Sequence, residues 1–172
     1  FRSWSWGISQ ILTFSIENLP IDLENIYSVG HSRIGKAALW AAINDQRFTG
    51  VFANGSGCMG AALTNRMIGE SLKAIRRRFP YWFKKTFRRI PKSDLIYKID
   101  QHFLLALMAP RKLYLSNADH DIWADPKGEF FALKYASEIY HLYGIKTPKF
   151  DKFPDVNTPV RNHIGFHLRT GR

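Results

Sequence analysis

The sequence predicts an α/β fold with a mainly parallel sheet, and three observations carry that prediction. Strand-like and helix-like patterns alternate along the 172 residues, which implies crossover units between parallel strands. Asn25 to Ala42, reading NIYSVGHSRIGKAALWAA, is a short strand pattern, a glycine-bounded turn and a run of helix formers. A glycine-rich loop, NGSGCMG, follows the next strand-like run, at the carboxyl edge where open α/β sheets bind ligands.

Taken in order, Trp4 to Glu17 (WSWGISQILTFSIE) has apolar residues at helical spacing and predicts an amphipathic helix covering the sheet, closed by Leu19 and Pro20. Ile26 to Val29 reads as a buried strand, and Lys36 to Ala42 as a helix with bulky residues at Leu39 and Trp40. INDQRF turns the chain back into a second strand, Phe48 to Ala53. The apolar run DQHFLLALMAPR predicts a buried helix that ends at Pro110, with Lys112 to Ser116 (KLYLS) as the strand after it. Asp125 stands before Pro126 as the expected N-cap of a helix, PKGEFFALKYASEIYHLYG. Alternating Ile164, Phe166 and Leu168 predict a last strand.

Composition narrows the function classes. With 45% hydrophobic residues the chain can bury a core, and it carries a formal charge of +11. Much of that charge is local: Arg76, Arg77, Arg78, Lys84, Lys85, Arg88, Arg89 and Lys92 are interleaved with Phe79, Tyr81, Trp82, Phe83 and Phe87. Two readings stand, an amphipathic surface segment with aromatics inward and charges in water, or a surface for an anionic polymer. The single cysteine, Cys58, allows neither a disulfide nor a cysteine zinc site within these residues, and the scattered histidines lack metal-ligand spacing. No apolar run reaches the roughly 20 residues that cross a bilayer.

The turn GHSRIG holds the chemistry. Strand followed directly by helix puts Ser32 at a helix N-terminus, where free amides and the helix dipole stabilise a tetrahedral oxyanion. Such a serine turn normally reads G-x-S-x-G, whereas here the second glycine is Gly35, one residue late. Gly30 to Lys36 also spells G-x-x-x-x-G-K, most of a phosphate-binding loop, with Ala37 where that loop needs Ser or Thr for Mg²⁺. A plain glycine-rich turn is the third reading.

GHSRIGKAALWAAINDQRF, then FANGSGCMGAAL, WADPKGEF and HIGFHLRTG, in this order, resemble the glucuronoyl esterase family (carbohydrate esterase family 15), particularly its bacterial members. In that family the serine lies in G-x-S-R-x-G-K, which accounts for the late glycine. The resemblance implies an α/β-hydrolase fold, a three-layer α/β/α arrangement on a mainly parallel sheet. Only about 30 residues precede Ser32, so residues 1–172 are expected to form a single partial catalytic domain, incomplete at both ends.

The family's roles carry over residue by residue. Ser32 is the expected nucleophile and Arg33 an oxyanion stabiliser. Lys36, Glu70 and Trp123 resemble the residues that hold the sugar. Gly55 stands where many members carry the triad's glutamate, so the acid is expected from the loop after KLYLS, with Asp121 first and Asp119 next. The base histidine is expected directly after Arg172, with His167 as a substitute and with His31 and His163 in structural roles. The implied substrate is a 4-O-methyl-glucuronate ester of glucuronoxylan with a lignin alcohol, cleaved without cofactor or metal, outside the cell or in the periplasm, with no nucleic acid or membrane as partner. An acetyl xylan or other carbohydrate esterase is the alternative within the same chemistry. A nucleotide binder and a non-enzymatic polyanion-binding remnant are those outside it.

Overall fold

The computed structural model describes residues 1–89 and 99–172, with residues 88 and 89 as backbone only. Helix α1 (Arg2–Asn18) leads into strand β1 (Tyr27–His31), helix α2 (Arg33–Asn44) and strand β2 (Gly50–Asn54). A short helix α3 (Leu72–Arg78) and α4 (Gln101–Ala106) precede β3 (Lys112–Ala118). Helix α5 (Pro126–Leu142), a two-residue β4 (Val160–Arg161) and β5 (Ile164–Arg169) follow.

Among the described residues the sheet runs β1-β2-β3-β5-β4, parallel throughout except that β4 pairs antiparallel with β5. The parallel strands advance in one direction, so right-handed crossovers place α2, α4 and α5 on one face. Burial agrees. Val51, Ala53, Leu113, Leu115, Ile164 and Phe166 point under the helices into one core with Leu39, Leu105, Phe130, Leu133 and Tyr140. Alternate residues point the other way, where Val29 is 67% and Phe52 40% exposed. The rings of Tyr27, Phe52 and Tyr114 form a row on that second face, with centroids 5.4 and 5.5 Å apart.

Each predicted strand is present with its ends displaced by at most two residues, but the first is not the buried strand expected: of β1 only Ser28 is buried, because the second sheet face there has no described helix over it. The first helix is present too, but it packs on α2 rather than over the sheet. Only Ser5 and Leu12 of α1 are fully buried, Ser5 through a hydrogen bond to the carbonyl of Ala37 at 3.0 Å. Asp125 is the N-cap of α5, accepting from the amide of Gly128 at 3.0 Å. No helix among the described residues is long and apolar enough to cross a membrane.

In the basic segment the amphipathic reading holds in part: Phe79 and Phe83 are half-buried, but Tyr81 is 74% exposed. Trp82 and Phe87 are buried, while Lys84 and Lys85 are exposed. The guanidinium of Arg76 lies 4.9 Å from the ring of Phe87 and that of Arg78 lies 5.1 Å from Trp123. The side chains of Arg88 and Arg89, and all of Lys92, lie outside the described residues.

Candidate active site

Ser32 joins β1 to α2 with φ 53° and ψ −123°. A side chain with positive φ costs about 1–3 kcal/mol, and such strain persists only where the surroundings over-determine it. Three contacts do so here. The Ser32 amide donates to Asn54 O at the end of β2 (2.8 Å), and its carbonyl accepts from the Lys36 amide (3.2 Å). Behind it, a β-carbon on Gly30 would lie 2.4 Å from Ile34 O, so the turn closes only over glycine. The Ser32 hydroxyl makes no capping bond and is exposed, as is Arg33, the first residue of α2. The free amides of the first helical turn therefore stand beside an uncommitted hydroxyl.

The same residues dispose of the phosphate-loop reading. Ala37 is wholly buried in the core. Lys36 points away from the turn into a buried ion pair, its Nζ 2.7 Å from Glu70 Oε2 and 2.5 Å from Ser56 O. Neither a Mg²⁺-binding hydroxyl nor a lysine over the loop is present.

The three acids after β3 have different partners. Asp125 is spent on capping α5 and on an ion pair with Arg66 Nε at 2.8 Å. Asp119 ties down the last turn of the chain: its Oδ1 accepts from the Gly171 amide at 2.9 Å, its own amide donates to Arg169 O, and that of His120 to Gly171 O. Asp121 caps a single 3-10 turn, accepting from the Ala124 amide at 3.3 Å with Oδ1. Its other oxygen faces the loop after β2. A β-carbon built on Gly55 would lie 3.5 Å from Asp121 Oδ2, 3.6 Å from His31 Cε1 and 3.7 Å from Asn117 Oδ1. Ser32, Gly55 and Asp121 thus gather at the carboxyl ends of β1, β2 and β3.

The three residues matched to sugar contacts also gather. Lys36 and Glu70 are 5% and 6% exposed. The Glu70 amide donates to Trp123 O at 2.8 Å, and a β-carbon on Gly69 would collide with that same carbonyl at 2.4 Å, so glycine is what lets the two loops meet. Trp123 keeps 44% of its surface exposed. Trp82, which the sequence does not single out as a site residue, lies under the Lys36 ammonium at 5.9 Å.

Across the sheet, His31, Asn54, Ser116 and His167 form one row in register. His31 Nδ1 is 3.1 Å from Asn54 Nδ2, and Ser116 Oγ donates to Asn54 Oδ1 at 3.1 Å. Three strand spacings separate His167 from His31, about 14 Å between backbones. His163 is structural, its Nε2 2.5 Å from Pro110 O and its ring near Tyr140.

One residue escaped the sequence reading. Glu129, in the first turn of α5, is wholly buried, and its Oε1 accepts from Ser56 Oγ (2.9 Å) and from the Gly57 amide (2.7 Å). Burial pushes its carboxyl up to about 7, against the opposing pull of the Gly57 amide, Ser56, the Lys36 charge and Asn117. A signal was present: Glu129 shares a helical stripe with Leu133, Ala136 and Tyr140, an acid at an otherwise apolar spacing. Among the described residues no group of three or more His, Cys, Asp or Glu is arranged to hold a metal ion.

Comparison with known proteins agrees with this geometry. Residues 1–144 match the family described as "Glucuronyl esterase, fungi". A carbohydrate esterase from an unknown prokaryotic organism is 39% identical over 99% of this chain and 39% of its own length. The 4-O-methyl-glucuronoyl methylesterase of Hypocrea jecorina is 28% identical over 83% of this chain and 33% of its own. The solved glucuronoyl esterase of Solibacter usitatus superposes with a TM-score of 0.90 at 39% identity, over 98% of this chain and 43% of that one. The chain spans a third to about two-fifths of the length of these relatives.

Proposed function

We propose, because this chain belongs to the glucuronyl esterase family, that the protein carrying it hydrolyses carboxylic esters of glucuronate with Ser32 as nucleophile. One observation carries the assignment within the chain: Ser32 holds φ 53° at the N-terminus of α2 with its hydroxyl exposed and uncommitted. The fold supports it, since an α/β-hydrolase presents its nucleophile on a strained strand-to-helix turn at the carboxyl edge of the sheet.

The chemistry proceeds by acyl transfer. Ser32 Oγ attacks the ester carbonyl carbon as its proton passes to a histidine base. The carbonyl oxygen, now an oxyanion, is stabilised by the Arg33 amide and guanidinium at the head of α2. Collapse of the tetrahedral intermediate breaks the carbon–oxygen bond to the alcohol, which leaves with the proton the histidine returns. Water then attacks the acyl-serine, giving up a proton to the same base, and glucuronate leaves as Ser32 is restored.

Asp121 is assigned to orient the histidine and stabilise its imidazolium. Asp119 is not, because its Oδ1 is taken by the Gly171 amide. His167 is not the base, because its place three strands away from β1 exceeds the reach of the two side chains. The base is assigned to a position following Arg172, and the bonds from Asp119 and His120 to Gly171 support it by holding that turn beside the loop of Asp121.

Lys36, Glu70 and Trp123 are assigned to the sugar. A carboxylate accepts from hydroxyls, while an ammonium and an indole N–H donate. The likeness to a 4-O-methyl-glucuronoyl methylesterase supports a 4-O-methyl-glucuronate ester as substrate, such as one linking glucuronoxylan to lignin outside the cell. The test is Ser32→Ala in the full-length protein, assayed on the methyl ester of 4-O-methyl-glucuronate and on acetylated xylan. Loss of glucuronate release with a retained fold is the expected result. Undiminished turnover by the variant refutes the mechanism, and preference for acetylated xylan by the unmodified protein refutes the substrate.

A further inference from the structure

We propose that Glu129 is a positioning residue for the Lys36–Glu70 pair, acting through the loop at Ser56 and Gly57. The inference rests on the sugar-binding role assigned to that pair above. A carboxyl group with no exposed surface costs free energy wherever its oxygens lack partners, and Glu129 has partners on Oε1 while Oε2 has none among the described residues. Helix capping does not account for its burial, because Asp125 already fills that place on α5. Direct pairing does not either, because the nearby cation, Lys36, gives its bonds to Glu70 and Ser56 O.

What Glu129 holds is a backbone. Its Oε1 takes one hydrogen bond from Ser56 Oγ and one from the Gly57 amide. Ser56 Oγ in turn accepts from the Ala61 amide at 2.9 Å, which closes the loop on itself. With the Ser56 hydroxyl held in this way, the carbonyl of the same residue receives the Lys36 ammonium. Gly57 touches the second member of the pair: a β-carbon there would lie 3.4 Å from Glu70 Oε2. The chain of contact from α5 to the ammonium is thus two hydrogen bonds long, and the same loop backs the carboxylate.

The predicted consequence is a change in substrate grip rather than in the chemical step. In the full-length protein, Glu129→Ala is expected to raise KM for methyl glucuronate about tenfold with kcat held within about threefold, the pattern of lost ground-state binding. Glu129→Gln keeps an acceptor oxygen in the place of Oε1, and is expected to return KM to within about threefold of the unmodified protein. Ser56→Ala, which spares the Gly57 bond, gives the same KM shift on a smaller scale and serves if Glu129→Ala does not fold. An unmoved KM in these variants overturns the inference, as does a fall in kcat on both methyl glucuronate and p-nitrophenyl acetate. Failure of the unmodified protein to hydrolyse methyl glucuronate overturns the proposed function and this inference together, so the two failures read differently.

Discussion

Oδ2 of Asp121 lies 3.5 Å from the point where a β-carbon on Gly55 would stand. Two loops, one after β2 and one after β3, therefore reach the same spot beside Ser32. A carboxylate delivered from either loop arrives in one place, and in this chain the loop after β3 delivers it. If Asp121 orients the base as proposed, Asp121→Asn is expected to cut kcat on methyl glucuronate by about 10³- to 10⁴-fold, the loss that removal of the orienting acid causes in serine triads. Asp119→Asn is expected to cost far less. Steady-state kinetics on the full-length variants decide between them, and a larger loss in Asp119→Asn reverses the assignment.

The backbone at Ser32 makes a second prediction. Glycine adopts positive φ without the side-chain penalty, whereas alanine keeps it. Ser32→Gly should be about 1 kcal/mol more stable than Ser32→Ala by denaturant unfolding, with both inactive. Equal stabilities would mean that the turn stores no strain.

The Lys36–Glu70 pair predicts a non-additive double mutant. Lys36→Met leaves a buried carboxylate unpaired and is expected to cost roughly 3 kcal/mol of stability. Lys36→Met combined with Glu70→Gln removes both charges, and more than half of that loss should return. A double mutant as unstable as the sum of the two singles would show that the pair is not coupled.

Glu129 predicts how stability varies with pH. Its carboxyl is raised from the ordinary 4.5 to about 7, chiefly by burial. Between those values the folded state holds a proton that the unfolded state has lost, so unfolding releases it and rising pH destabilises the protein. Below about 4.5 and above about 7 this contribution is flat. Its whole extent is roughly 3 kcal/mol. Glu129→Gln should remove this slope. Urea unfolding of both proteins at pH 5 and pH 8 measures it, and parallel losses in the two would refute the shift.

Most of the frame was legible because local pattern and burial agree. Alternation at Ile164, Phe166 and Leu168 became β5, whereas the apolar run before Pro110 became the short α4, of which only Leu105 is buried while Phe103 is 52% exposed. The strained turn at Ser32 was legible from glycines whose spacing the backbone requires. The Lys36–Glu70 pair was legible only through likeness to a family, because the two residues are 34 positions apart and no periodicity links them. Glu129 escaped notice for a different reason. Its neighbours Pro126 and Gly128 read as a helix start, which hid that its partners lie on a loop 72 residues earlier. The packing of α1 on α2 rather than on the sheet was also beyond reach, because an apolar stripe declares that a face is covered without naming the cover.

Helix α2 carries Ser32 at its head and Lys36 four residues later. At 1.5 Å per residue, the α-carbons of the two residues are set about 6 Å apart along one helix axis, and the Glu70 carboxylate and the Ser56 carbonyl fix where the Lys36 ammonium lies beyond its own α-carbon. In the proposed reaction this makes the first helical turn a gauge. An ester carbonyl attached directly to the sugar ring keeps the attacked carbon and the sugar hydroxyls in one fixed relation, which a methylene spacer would lengthen.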